Sequence, residues 1–202
     1  MIFNKEIGDI YRLKVPFDGD VYTSVFLIKS PSGNLLVDCA TTDNDVENFI
    51  VPALKNIGVG LESIDYLILT HQHKDHSGGK RKLLEYCPKA RVVTKDNRLD
   101  IDGISLYQLN GHTLDCIGLL EEKTGTLITG DALQGAGVGK YVCSLKNKQE
   151  YARTIEKIKT DNRISNLLFS HAYEPWGKDG VFGREEAIKC LQECLFIASK
   201  GE

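Results

Sequence analysis

No apolar stretch of this chain is long enough to cross a bilayer, and Met1 to Asp9 holds no basic segment leading into an apolar core. These absences predict a chain without a transmembrane helix or an export signal, and hence a cytoplasmic protein. An excess of charge is lacking too. A net charge of −3 gives no electrostatic reason to expect a nucleic-acid or membrane partner. The six cysteines (Cys39, Cys87, Cys116, Cys143, Cys190, Cys194) show no ligand-type pairing, so they read as reduced thiols, mostly small core residues. Cys190 and Cys194 stand one helical turn apart and read as one buried face. Cys39 follows Asp38 and is placed to lie near a site. No linker, low-complexity tract or close repeat divides the 202 residues, of which 42% are apolar and 26% charged, so one ordinary globular domain is predicted, spanning 1–202 as two pseudo-repeated halves of about 1–100 and 101–202.

What the chain does have is a concentration of histidine. The apolar run Ile64 to Thr70 reads as a buried strand and leads directly into His71-Gln72-His73-Lys74-Asp75-His76. Three imidazoles and a carboxylate within six residues would repel if the rings were protonated and would be costly to bury unpaired. A divalent cation resolves both problems, because neutral imidazole and carboxylate are its usual ligands.

The remaining pattern is strands then helix, twice over. Ile10 to Val15, Tyr22 to Lys29 and Leu35 to Asp38 read as strands, the last two flanking the turn cluster Ser30 to Asn34. Thr42 or Asp43 is placed to cap a helix with Val46, Phe49, Ile50, Ala53, Leu54 and Ile57 on its apolar face. Pro52 predicts a kink in it and Gly58 its end. A helix over Lys80 to Tyr86 and a strand over Ala90 to Thr94 close the first half. In the second half Ile104 to Leu109, Cys116 to Glu121, Thr126 to Thr129 and Asn166 to Ser170 read as strands. Asn147 and Glu150 resemble a capping box opening one helix, and Arg184 to Ser199 forms another. Two mixed sheets packed face to face with helices outside, an α/β fold in four αββα layers, fit that order.

Polar residues fall where these strands end. Asp38, His71, Asp131 and His171 each follow an apolar strand, and His112 follows the strand ending at Leu109. All five histidines of the chain therefore lie at strand exits or in the loops that begin there, where binding groups converge. His71, His73, Asp75, His76, His112, Asp131 and His171 are too many ligands for one tetrahedral zinc. They suit two ions about 3.5 Å apart with one carboxylate between them. Formal counting leaves such a site positive, which favours an anionic small-molecule substrate.

The chain at this point resembles the metallo-β-lactamase superfamily, whose signature His-x-His-x-Asp-His is His71 to His76. His112 within Gly-His-Thr, Asp131 within Gly-Asp and a late His171 come after it in the same order, and Asp38 matches the superfamily's early, supporting aspartate. The resemblance implies two divalent metal ions, zinc with iron or manganese as alternatives. His71, His73 and His112 would hold one; Asp75, His76 and His171 the other; Asp131 would bridge. It further implies a hydrolase that uses a hydroxide held between the ions, with Asp75 holding or passing a proton. Type II glyoxalases (hydroxyacylglutathione hydrolases) are the nearest in motif, and they imply a thioester, ester or lactone substrate. Lys140 and Tyr173 match their substrate-contacting lysine and tyrosine.

Departures are equally plain. Val142 stands where those enzymes place a second tyrosine, Thr113-Leu114-Asp115 replaces Thr-Pro-Gly, and their carboxyl-terminal helical domain has no counterpart in these residues. Two other activities of the same scaffold stay open: a one-iron oxygenase of the persulfide dioxygenase type, with His71, His112 and Asp131 as its triad, and phosphodiester hydrolysis.

Overall fold

Strands that read as continuous apolar runs belong in sheets covered on both faces, and two such sheets organise the chain. The structure, a computed structural model, describes residues 1–133, 148–172 and 178–200. They form two compact units, Met1–Asp102 and Gly103–Glu202, each built on one sheet with its own core.

The first sheet has the order β1 (Asn4–Ile7), β2 (Ile10–Asp18), β3 (Val21–Ser30), β4 (Gly33–Val37), β5 (Ile64–Ile68), β6 (Arg91–Val93). β1 to β4 form an antiparallel meander, whereas β4, β5 and β6 run parallel. Parallel neighbours need a crossover, and the helices supply it. On one face Leu13, Val25, Leu27, Leu36 and Leu67 pack with the helical residues Val46, Ile50, Leu54 and Leu83. On the other, Ile10, Phe26, Ile28, Leu35, Val37 and Ile68 are buried too.

Thr42 opens the crossover with a full capping box: its hydroxyl accepts from Asp45 N at 3.2 Å, and the Asp45 carboxylate accepts from Thr42 N at 2.8 Å. Helix α1 (Asp43–Asp45) passes into a π-helical stretch, Val46–Ile50, and then into α2 (Val51–Asn56). The expected disturbance at Pro52 takes this form. Val51 N–H reaches back to the Val46 carbonyl, and the widened turn relieves the clash a proline ring imposes on a regular helix. Gly58, at φ +70, ends the helix as expected.

In the second sheet the order is β11 (Gly180–Val181), β10 (Asn166–Leu168), β9 (Thr126–Ile128), β8 (Ile117–Glu121), β7 (Ile104–Gln108), with β9 and β10 parallel and the other pairs antiparallel. Its core joins Tyr107, Leu120, Leu127, Leu167 and Phe169 to Tyr151, Ile155 and Ile158 of one helix (Lys148–Thr160) and Leu191 and Cys194 of another (Arg184–Lys200). Cys190 and Cys194 share that buried face. In chain order the remaining helices are α3 (Lys74–Ser77), α4 (Lys80–Tyr86), α5 (Lys148–Thr160) and α6 (Arg184–Lys200).

Two mixed sheets flanked by helices agree with the expected class. β2 runs three residues further than expected, to Asp18, and the edge strands β1 and β11 had no apolar run to announce them. Among the described residues no helix is long and apolar enough to cross a membrane.

Candidate metal centre

β4 and β5 are parallel and end level, Val37 opposite Ile68, so the loops that leave the two strands emerge at the same edge. Asp38 comes directly after Val37, its N–H donating to the Ile68 carbonyl at 2.8 Å; His71 comes three residues after Ile68. Asp38 and Ala40 adopt φ values of 63° and 59°, left-handed backbone that turns the chain sharply towards the histidine loop.

That loop contains a helical turn, α3, which the apolar pattern did not announce. Ser77-Gly78-Gly79 ends it by packing backbone on backbone. Gly78 N donates to the Ala40 carbonyl at 3.0 Å, and a Cβ on Gly78 would stand 1.9 Å from the Thr41 carbonyl oxygen. The Cys39 N–H and thiol both donate to the His76 carbonyl, at 2.8 and 3.2 Å, so Cys39 fastens the turn. Burial and the adjacent Asp38 carboxylate push that thiol up, which keeps it a protonated donor.

The Asp38 carboxylate organises the histidines. Its Oδ1 accepts from Thr70 N at 2.8 Å, and its Oδ2 accepts from Thr70 Oγ1 at 2.8 Å and from His76 Nδ1 at 2.7 Å. Since the Thr70 hydroxyl spends its one hydrogen on Asp38, its oxygen accepts from His71 Nδ1, 3.2 Å away. One buried carboxylate thus fixes both rings as Nδ1–H tautomers and puts the basic lone pair of His71 and of His76 on Nε2. Thr70 was not singled out from the sequence; its only signal was a hydroxyl placed directly before His71. The His71 and His76 ring centroids lie 4.2 Å apart and those of His71 and His73 4.6 Å. His76 Nε2 stands 3.3 Å from Asp75 Oδ2, one electron-pair donor beside another.

The second unit repeats the device. β9 and β10 are parallel, with Ile128 opposite Leu168, and Asp131 and His171 each come three residues later. Asp131 lies in a 3-10 turn, Gly130–Ala132, with Gly130 at φ +56. Its Oδ1 is 3.2 Å from His171 Nε2 and its Oδ2 3.8 Å from His112 Nε2. His112 lies after β7 in a loop closed by Thr113, whose hydroxyl donates to Asp115 Oδ1 at 2.6 Å and lies 3.0 Å from Cys116 Sγ. The structure thus brings His71, His73, Asp75 and His76 together beside Asp38 in one unit, and His112, Asp131 and His171 together in the other. Lys140 and Tyr173, expected to contact substrate, lie outside the described residues, as do Asn147 and Val142.

The chemistry of these donors fits a divalent cation. In the first unit the Nδ1–H tautomer of His76 turns its basic Nε2 to Asp75 Oδ2, 3.3 Å away, and in the second unit Asp131 Oδ1 lies 3.2 Å from His171 Nε2; a positive charge would hold such donors together.

The fold is that of metallo-β-lactamases. A metallo-β-lactamase from Pontibacter korlensis superimposes with a TM-score of 0.74 at 16% identity, over 98% of each chain. The family model described as the metallo-beta-lactamase superfamily matches residues 18–98, which include the whole His71–His76 motif. Among curated relatives, a beta-lactamase-like protein 2 homolog of Drosophila melanogaster is 26% identical over 187 residues, covering 77% of this chain and 61% of that protein. A hydroxyacylglutathione hydrolase of Prochlorococcus marinus is 27% identical over 188 residues, covering 79% and 72%. The chain thus spans about three fifths of the length of the first relative.

Proposed function

We propose that this chain is a metal-dependent hydrolase of small thioesters, esters or lactones, in the manner that the names of its hydroxyacylglutathione hydrolase relatives describe. The observation that carries the reading is the Asp38 network, which commits His71 and His76 to the tautomer a cation needs. On this reading His71, His73 and His112 would hold one ion and Asp75, His76 and His171 a second, with Asp131 serving both. Zinc is the proposed ion. Bound there, a pair of such ions supplies an activated water at neutral pH and a Lewis acid for the substrate carbonyl.

The chain's own residues do the rest. Asp38 and Thr70 keep His71 and His76 from rotating. Asp75, half-buried beside His76, is placed to take the proton released when water attacks and to return it to the leaving group. An anionic small molecule is the proposed substrate, and Lys140 and Tyr173 its proposed contacts. The protein is proposed to act in the cytoplasm, on neither nucleic acid nor membrane.

Metal content of protein purified without added metal or chelator, measured by mass spectrometry, tests the reading. Close to two zinc ions per chain are expected, with turnover in a panel of thioesters and lactones. His73→Ala and Asp131→Ala should lose metal and turnover together. Full activity in either variant rejects the assignment, and about one iron per chain with oxygen uptake replaces it with the oxygenase.

A further inference from the structure

Helix α5 runs beside the segment that carries His112 and touches it at three successive points. The Lys157 carbonyl accepts from Tyr107 Oη at 3.2 Å. One turn earlier on the helix, Thr154 Oγ1 donates to the Asn110 carbonyl at 2.8 Å. A turn before that, Tyr151 lies against Gly111, where a Cβ would stand 2.7 Å from the ring carbon Cδ2 and 3.0 Å from the Tyr151 Cα. Residues 151, 154 and 157 are three apart and share one helix face, so the helix tracks residues 107 to 111 in the opposite sense. Gly111 is at φ +143, which with the closeness of Tyr151 leaves no room for a side chain. Tyr151 is itself held, buried among the core residues Ile155, Cys190 and Cys194. Beyond Gly111 the loop is drawn in on itself, Gly111 N donating to the Thr113 carbonyl at 3.3 Å.

We propose that Thr154 is a positioning residue for His112: its hydroxyl fixes the Asn110 carbonyl while Tyr151 fixes the Gly111 backbone, and α5 thereby sets where the imidazole stands. Ligand distances tolerate only about 0.2 Å of error, so a loop released at one end loses affinity before it loses its fold. The inference rests on His112 being a metal ligand, as proposed above. The assignment touches neither of the ions directly, and Thr154 acts only through the loop.

The test is the stepwise zinc affinity of the full chain, titrated as apoprotein against a chromophoric chelator. Thr154→Val keeps the shape of the side chain and removes its donor; it should weaken one of two zinc ions about ten-fold and leave the other unchanged. Thr154→Ser keeps the donor and should restore wild-type binding. Ile155→Val, a core change on the same helix, controls for loss of stability and should bind both ions as the wild type does. Wild-type affinities in Thr154→Val overturn the proposal, as does an equal loss in Ile155→Val. His112→Ala separates the levels: if it loses no ion, the assignment of His112 fails and the role of Thr154 fails with it.

Discussion

Asp38 is the residue on which the histidine loop turns, although it is not itself a proposed ligand. Fully buried, it accepts three hydrogen bonds, two from Thr70 and one from His76. Asp38→Asn keeps the shape, but the amide replaces one acceptor with a donor that faces either the Thr70 N–H or the Thr70 hydroxyl and His76 Nδ1–H together. Zinc affinity should fall ten- to a hundred-fold, the usual cost of losing a ligand's supporting partner, and Thr70→Val should weaken it through His71 alone. Chelator competition measures both, and unchanged affinity in Asp38→Asn would show that the network is ornamental. A second residue sets a pH limit. Burial first, then the charge of Glu62, pushes the Cys87 thiol up from 9.0 to about 11. The unfolded chain loses that proton near pH 9.0 and the folded chain only near 11. Its contribution is therefore complete below about pH 9 and is lost as pH rises through that window, with a slope of at most about 1.4 kcal/mol per pH unit. Urea unfolding at about pH 8 and about pH 10 should show a smaller loss in Cys87→Ala than in the parent chain.

Elements were legible wherever one physical cause dominated. Ile64 to Ile68 is buried on both faces, so its composition alone marked a strand, and the Lys80–Tyr86 helix emerged at its predicted bounds. The candidate ligands were legible because histidine and aspartate recur at strand exits, a placement that survives errors of a residue or two in the strand bounds. Less could be read where neighbours rather than composition decide. β1 and β11 are edge strands of four and two residues, formed by pairing with β2 and β10. The role of Thr70 depends on Asp38, 32 positions away. Nor does the sequence reveal why Ser77 is succeeded by two glycines; packing does. Gly78 sits at φ −66, where alanine is at ease, so the cost of Gly78→Ala is steric: its Cβ would stand 1.9 Å from the Thr41 carbonyl oxygen and 2.6 Å from that of Lys74. Gly103 is the converse case, at φ +73 with no atom within 4 Å of the point a Cβ would occupy. Gly103→Ala should cost about 1–2 kcal/mol from backbone strain, and Gly78→Ala about 3 kcal/mol or more, because backbone must move. Equal costs in chemical denaturation would mean that the Cys39–Thr41 segment yields freely and does not brace the histidine loop.

On the scale of the whole molecule, the proposed ligands are divided between the two compact units: His71, His73, Asp75 and His76 on Met1–Asp102, His112, Asp131 and His171 on Gly103–Glu202. A cation that binds only the folded state stabilises it by RT ln(1 + [L]/Kd), about 4 kcal/mol at a thousand-fold excess over Kd. If each ion draws ligands from both units, that stabilisation cannot be confined to one of them. Hydrogen exchange distinguishes the cases, because it reads opening segment by segment. Adding zinc to the apoprotein should slow exchange in β5 and the loop after it and, in parallel, in β9, β10 and the His112 loop; chelation should reverse both. His171→Ala removes a ligand from the second unit only, yet it should reduce zinc-dependent protection around Asp75 and His76 in the first. Protection that stays intact there while it disappears around Asp131 would mean separate sites, one per unit, and the shared binuclear centre would have to be given up.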